Sequence, residues 1–141
     1  MSKKAFQSAL RLLSVLVVVG ALTGCSGPDS SAYKPGTVER NAYDQPVWVT
    51  VKYRSTPVDV GTGGFEHWTN ENPGNVREGW FDVRNDYMLL NLDGTVYHYC
   101  NVSIAWWRSL TSAKSADLQF DLYFKGSMIY DCRRYAVPSY P

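Results

Sequence analysis

The N-terminal two dozen residues constrain the fold most, because they are withdrawn from it. Residues 12–22 (LLSVLVVVGAL) form an apolar run broken only by Ser14 and Gly20, behind Lys3, Lys4 and Arg11 and with no acid ahead of it. A membrane-spanning helix needs about 20 apolar residues, whereas a run of about 10–14 is a buried helix or the apolar core of an export signal. A basic flank, a short apolar core and small residues at its end form the pattern of a secretory signal peptide. A buried helix of the domain would leave unexplained its extreme N-terminal position, directly behind a basic cluster. Residues 1–24 are therefore expected to be removed, and the domain must be built from the remainder of the chain.

The end of the run sharpens this expectation. Leu22-Thr23-Gly24-Cys25 resembles the lipobox of bacterial lipoproteins: Leu, a small residue, Gly or Ala, then Cys. The resemblance covers about the first 25 residues and carries no information on the rest. It implies a diacylglyceryl thioether on the Cys25 sulfur, cleavage just before Cys25, where Thr23 and Gly24 leave the peptidase room, and often acylation of the new amine. Each buried methylene contributes about 0.8 kcal/mol, so one chain anchors marginally and two or three anchor stably. The implied location is extracytoplasmic, with the mature protein held to a membrane by its lipid. With Ser26 rather than Asp after the Cys, a Gram-negative host would sort it to the outer membrane. A Gram-positive host would keep it on the outer face of the plasma membrane.

Removal of residues 1–24 also changes the charge. It takes three of the fourteen basic residues, leaving eleven against thirteen acids and a formal charge near −2. With no basic stripe in the mature part, nucleic acid is not an expected partner. All five Trp, all ten Tyr and four of the five Phe lie after the cleavage point. Large rings bury about 150–250 Å² each, which helps a domain this small, whose surface is large for its volume. Once Cys25 is lipidated, Cys100 and Cys132 are the remaining cysteines. Outside the cytoplasm such a pair reads as a disulfide, the alternative being two buried thiols, and its spacing fits neither CxxC nor a zinc pattern. Closing a loop of about 33 residues would contribute roughly 3–4 kcal/mol in the chain-entropy model.

Residues 26–46 hold three Pro, two Gly and three Ser without apolar periodicity, and with Cys25 they read as a lipidated tether (25–46). Residues 47–141 are then one domain. Residues 47–54 (VWVTVKYR) alternate with period two and predict a strand. Residues 61–79 (GTGGFEHWTNENPGNVREG) show no pattern and read as a long loop, a kind of segment that is often functional. Residues 80–84 predict a short strand, and Asn85-Asp86 a turn. Residues 87–100 (YMLLNLDGTVYHYC) predict a hairpin about Asp93-Gly94, because both central residues of its turn need positive φ. In that register Leu92 faces Thr95, Leu90 faces Tyr97 and Met88 faces Tyr99, with Leu89 opposite His98 on the other face. Ser103 is placed to cap a short helix carrying Ile104, Trp107 and Leu110 on one side. Leu118, Phe120, Leu122 and Phe124 alternate with polar positions and predict a strand, turned at Gly126-Ser127 into a returning strand over 128–135. The fold class expected is mainly β: a small antiparallel sandwich or barrel with one short helix.

Candidate chemistry is sparse. His67, beside Glu66 in the patternless stretch, is a candidate for general acid–base work, against the plainer reading of a loop pinned by Phe65 and Trp68. His98, in mid-strand, reads as a satisfied sheet residue. No nucleophile elbow, phosphate-cradling loop or HExxH occurs, and no metal or cofactor is implied. Trp48, Trp106 and Trp107 are candidates for exposed rings that stack on envelope glycan or anchor a surface protein, unless they simply fill the core. The function expected is that of a membrane-anchored envelope lipoprotein carrying a non-catalytic binding or interaction module. Phage and prophage products that exclude superinfecting phage at the surface are one such class by size and address. The alternative is a small envelope hydrolase using His67 and a nearby carboxylate.

Overall fold

The computed structural model describes residues 38–40, 45–62 and 64–140. The expected signal peptide, Cys25 and residues 26–37 and 41–44 of the expected tether lie outside the described residues. The domain is mainly β, with two antiparallel sheets and two short helices. Among the described residues no helix is long and apolar enough to cross a membrane.

The larger sheet contains β1 (Val38–Arg40), β4 (Glu66–Thr69), β5 (Val76–Asp82), β6 (Tyr87–Leu92) and β7 (Thr95–Tyr99) in the spatial order β1-β4-β5-β6-β7. It is a meander from β4 to β7 with β1 added beside β4. It is open at both edges, so the expected barrel alternative does not hold. β2 (Trp48–Val49) and β3 (Val58–Asp59) form a separate two-stranded sheet. Helices α1 (Ile104–Thr111) and α2 (Ala116–Tyr123) come next, then a 3-10 turn at Cys132–Arg134.

Both faces of the large sheet are covered. On one face Trp68, Val76, Phe81, Met88 and Leu90 pack with Trp107, Leu110, Phe120 and Phe124 from the helical layer. On the other, Phe65, Trp80, Tyr87 and Leu89 pack with Val51, Val58 and Val60 and with the disulfide. This explains the unbroken apolar run at 87–90, all four residues of which are buried: a strand covered on both sides has no face to give to water.

The β6–β7 hairpin has the register expected, with Met88 opposite Tyr99, Leu89 opposite His98, Leu90 opposite Tyr97 and Leu92 opposite Thr95. Asp93 and Gly94 turn it with φ of 50° and 85°, the conformation a two-residue turn of the primed type requires. Helix α1 begins where expected. The Ser103 side chain accepts from the Trp106 N–H, and Trp107 and Leu110 are buried on the sheet side. Cys100 and Cys132 form the expected disulfide, with a Cα–Cα distance of 4.9 Å.

Several expectations are corrected. The patternless stretch 61–79 is not one long loop, because it contains β4 and the start of β5. The strand expected over 47–54 is reduced to Trp48–Val49. The chain departs at Lys52, whose N–H donates to the Val96 carbonyl at 2.8 Å, and turns at Tyr53 with φ of 65°. The strand expected over 118–124 is helix α2, and the returning strand over 128–135 is irregular chain ending in the 3-10 turn. Ser115 caps α2 by accepting from the Leu118 N–H, and Asp117 in the first turn accepts from the Asn75 and Val76 N–H groups at 2.6 and 3.0 Å. The apolar spacing suits a helix because Ala116, Phe120 and Phe124 recur every four residues, the interval that places side chains on one face. The disulfide therefore joins the end of the β6–β7 hairpin to the C-terminal segment, not to a second hairpin. The sheet also begins at Val38, inside the segment read as tether.

Gly79 sets the spacing between sheet and helix. A Cβ there would lie 2.8 Å from the Leu90 side chain and 3.1 Å from the Trp107 ring. The missing side chain makes the seat into which Trp107 packs, stacked on Phe81 at 5.4 Å and edge-on to Trp68 at 6.4 Å.

Candidate functional site

Glu66 and His67 are neighbours in the sequence but not in space. Successive side chains of a strand point to opposite faces, and here the two faces are different compartments. Glu66 points into the helical layer, where it is 7 % exposed. Its carboxylate accepts from the Trp107 indole N–H at 2.8 Å and from the Arg108 guanidinium at 2.9 Å. It is therefore a bracket between β4 and α1, not a partner for His67.

His67 lies on the other face, directly opposite Trp80 in the β4–β5 ladder. The imidazole stacks on the indole with centroids 5.2 Å apart and planes inclined by 17°. Its Nε2 is 3.3 Å from Glu78 Oε2, while the Asn91 side-chain amide donates to Glu78 Oε1 at 2.9 Å. The side chains of His67 and Glu78 are 25 % and 31 % exposed, so the pair is reachable from solvent. A bulge at Arg77 makes this arrangement possible. Val76 pairs with Leu92 and Glu78 with Asn91, and the extra residue sends Val76 into the core while Glu78 faces His67. Chemically the group is a histidine with one ring nitrogen at a carboxylate and one face against an indole. Such a pair can relay a proton, or present a flat polar and aromatic surface to a ligand.

The candidate binding rings are dispersed. Trp48 is 52 % exposed on β2, outside the sheet face that carries His67. Trp106 is half-buried in the helical layer, its ring packed on Tyr123 at 4.7 Å and edge-on to Phe124 at 6.1 Å. Trp107 is fully buried; it belongs to the core and offers nothing to a ligand.

His98 lies within a polar network that sequence reasoning did not foresee. Tyr87 Oη accepts from Arg54 at 3.2 Å and lies 3.2 Å from His98 Nδ1. Arg54 also donates to the Pro138 carbonyl at 2.9 Å. Tyr140 packs on Phe65 and Tyr87 and donates to Asp82 Oδ2 at 2.9 Å. Burial, reinforced by the positive charge of Arg54, pulls the His98 pKa below its ordinary value, with Asp131 opposing. Burial, together with the Asp82 carboxylate, raises that of Tyr140. The network clasps the C-terminal segment to the sheet.

Asp59 organises the smaller sheet in the same way. It is 3 % exposed and accepts from the Val47 and Gly61 N–H groups, each at 2.9 Å, and from Thr62. Burial pushes its carboxyl upward, but these hydrogen bonds outweigh burial and hold it below the usual value.

A shallow concavity of about 450 Å³ opens on the helical side, lined by Gly64, Glu66, Val83, Arg84, Ile104 and Arg108. His67 does not line it. Among the described residues no group of three His, Cys, Asp or Glu side chains is placed to hold a metal. Comparison with family models, with curated proteins and with solved structures finds no match for this chain.

Proposed function

We propose that this protein is a lipid-anchored lipoprotein of the bacterial cell envelope whose disulfide-stapled domain is a non-catalytic binding or interaction module. The observation that carries the reading is Leu22-Thr23-Gly24-Cys25, set directly behind a basic flank and a short apolar core. The Cys100–Cys132 disulfide supports it, since such bonds persist in oxidising compartments. The non-catalytic part draws support from the commitments of the polar groups: Glu66 to Trp107 and Arg108, and His98 to Tyr87. Trp48 and Trp106 are the rings proposed to meet envelope glycan or a surface protein. Exclusion of superinfecting phage is one form this function would take.

Two experiments test the reading. Cells fed a clickable fatty acid should label the wild-type chain, and Cys25→Ala should abolish both the label and membrane fractionation; a labelled Cys25→Ala chain would sink the anchor. Purified protein should be retained by isolated cell wall and lose retention with Trp48→Ala or Trp106→Ala. No retention by wall or by surface protein, together with unchanged phage plating on deletion, would sink the module.

A second reading is a hydrolase using His67, and one observation favours it: the 3.3 Å approach of His67 Nε2 to Glu78 Oε2. The acid in that pair is Glu78, not Glu66. Hydrolysis of envelope substrates by the wild-type chain that is lost in both His67→Ala and Glu78→Gln would establish it over the first reading.

A further inference from the structure

Six of the twelve exposed large apolar side chains among the described residues, Ile104, Leu118, Leu122, Tyr123, Met128 and Ile129, lie in the helical layer and the loop that leaves it. Leu118 and Leu122, one turn apart on α2, are 59 % and 63 % exposed, and Met128 and Ile129 in the following loop are 69 % and 58 % exposed. Tyr123, next in sequence to Leu122, packs on Trp106 with the two rings tilted by 43°. The inner side of α2, with Ala116, Phe120 and Phe124, is already packed, so these outer residues are not needed to complete the core. Alternation at 118–124 thus describes a helix that is apolar on both sides, one side facing the sheet and the other facing out.

The charges around this surface favour a negatively charged counterpart. Its acids are engaged: Asp117 by two backbone N–H groups, Asp121 by Lys125 and Asp131 by Arg133. Lys114 and Arg134 have no acidic partner among the described residues. Exposed aliphatic side chains flanked by aromatic rings and basic residues are the composition of a surface that lies in the headgroup region of a bilayer, where aromatic rings concentrate and basic residues meet anionic lipid.

The connection to Cys25 is short. Residues 26–37 are all that separates Cys25 from Val38, so the two can be at most about 45 Å apart. Val38 pairs with Trp68, at the end of the sheet that leads into the turn between β4 and β5. Helix α2 starts at that same turn, through the bonds of Asp117 to Asn75 and Val76. The chain from the lipidated residue therefore joins the domain where the apolar helix begins.

We infer that the outer face of α2 and the 128–129 loop dock on the surface of the anchoring bilayer, laying the domain against the membrane with its helical layer down. The inference rests on the anchor proposed at Cys25. Its consequence for the proposed module is an orientation: the sheet face carrying His67, Trp80 and Glu78, together with Trp48, is turned away from the lipid and toward the envelope, whereas Trp106 is turned to the lipid, so that of the two candidate rings Trp48 is the one left to meet an envelope partner.

The test uses the mature lipidated chain in vesicles of phosphatidylethanolamine with and without phosphatidylglycerol. Cys25 is acylated and Cys100–Cys132 is oxidised, so Leu122→Cys and Thr56→Cys each provide a single thiol for a nitroxide label. Both sites are exposed and leave the core untouched. On vesicles that float with the protein, the label at 122 should collide several-fold more with oxygen, relative to a water-soluble nickel chelate, than the label at 56. The difference should widen with phosphatidylglycerol. Equal water exposure at both sites on floating vesicles overturns the docking and leaves the anchor standing. Absence of flotation overturns the anchor and the docking with it. A label at 122 that is shielded only when envelope proteins are added, without contact to lipid, overturns the docking in favour of a protein partner.

Discussion

Glu66 accepts a 2.8 Å hydrogen bond from the indole N–H of Trp107, across 41 residues of sequence and between the sheet and its helical layer. The neighbouring indole of Trp68 is also buried, but its N–H has no partner among the described residues. Identical substitutions at the two rings should therefore differ in cost. Trp107→Phe leaves Glu66 Oε2 without its buried donor, with the Arg108 contact to Oε1 remaining, whereas Trp68→Phe removes a donor that was already unsatisfied. The first should be the more destabilising by about 1–3 kcal/mol, measured as the difference in urea unfolding free energy. Equal losses would refute the asymmetry. Glu66→Gln keeps an acceptor and should cost less than Glu66→Ala.

Gly79 supplies space, not flexibility. Adding a methyl group there meets Leu90 at 2.8 Å and Trp107 at 3.1 Å, both fully buried. Gly79→Ala should destabilise by about 1–3 kcal/mol, the usual cost of overpacking. Gly94→Ala, with nothing within 4 Å of the added carbon, should be penalised only through its positive φ. A neutral Gly79→Ala in thermal unfolding would show that helix and sheet separate more easily than their packing implies.

The disulfide closes a segment with a sequence separation of 32, which includes both helices. Reduction should lower stability by roughly 3–4 kcal/mol through the entropy restored to the unfolded chain. Because the Cys100 N–H also donates to the Tyr130 carbonyl at 3.0 Å, the C-terminal segment should keep its position at low denaturant. Unfolding curves with and without reductant give the magnitude, and protection of the Cys100 amide in hydrogen exchange checks the position.

His98 makes stability depend on pH. Its folded pKa lies below the ordinary 6.5, so between the two values the unfolded chain binds more protons than the folded one. Stability from this group is complete above about pH 6.5 and is lost as the pH falls through the window below it. Protonation would also place a positive ring beside Arg54. The melting temperature should fall on going from about pH 7.5 to about pH 5.5, and His98→Gln should flatten that slope. Carboxylates such as Asp59 and Asp131, which are held below their usual values, act only at lower pH. An unchanged slope in His98→Gln would assign the effect elsewhere.

Local signals determined the parts of this fold that are local. The β6–β7 hairpin arises from alternation on either side of Asp93-Gly94, and α1 from Ser103 ahead of Trp107 and Leu110, because each is decided within a few residues. Positions 118–124 show where such signals run out. Leu118, Phe120, Leu122 and Phe124 satisfy period two, but the same four residues are also two pairs at a spacing of four. Only packing of Phe120 and Phe124 under the sheet, with Asp117 bound to the β4–β5 turn, selects the helix. The candidate site was half legible. His67 stood out as a residue, yet its partner is Glu78, eleven positions on, brought within reach by pairing of β4 with β5 and by the bulge at Arg77. Glu66, its sequence neighbour, is carried to the opposite face by the pleat. The expectation of an export signal, the resemblance of Leu22-Thr23-Gly24-Cys25 to a lipobox and the pairing potential of Cys100 and Cys132 come from the linear chain, because they depend on residue type and spacing. Which rings are buried, which acid meets His67 and which face of α2 is left to solvent depend on contacts between distant segments, and only the tertiary structure decides them.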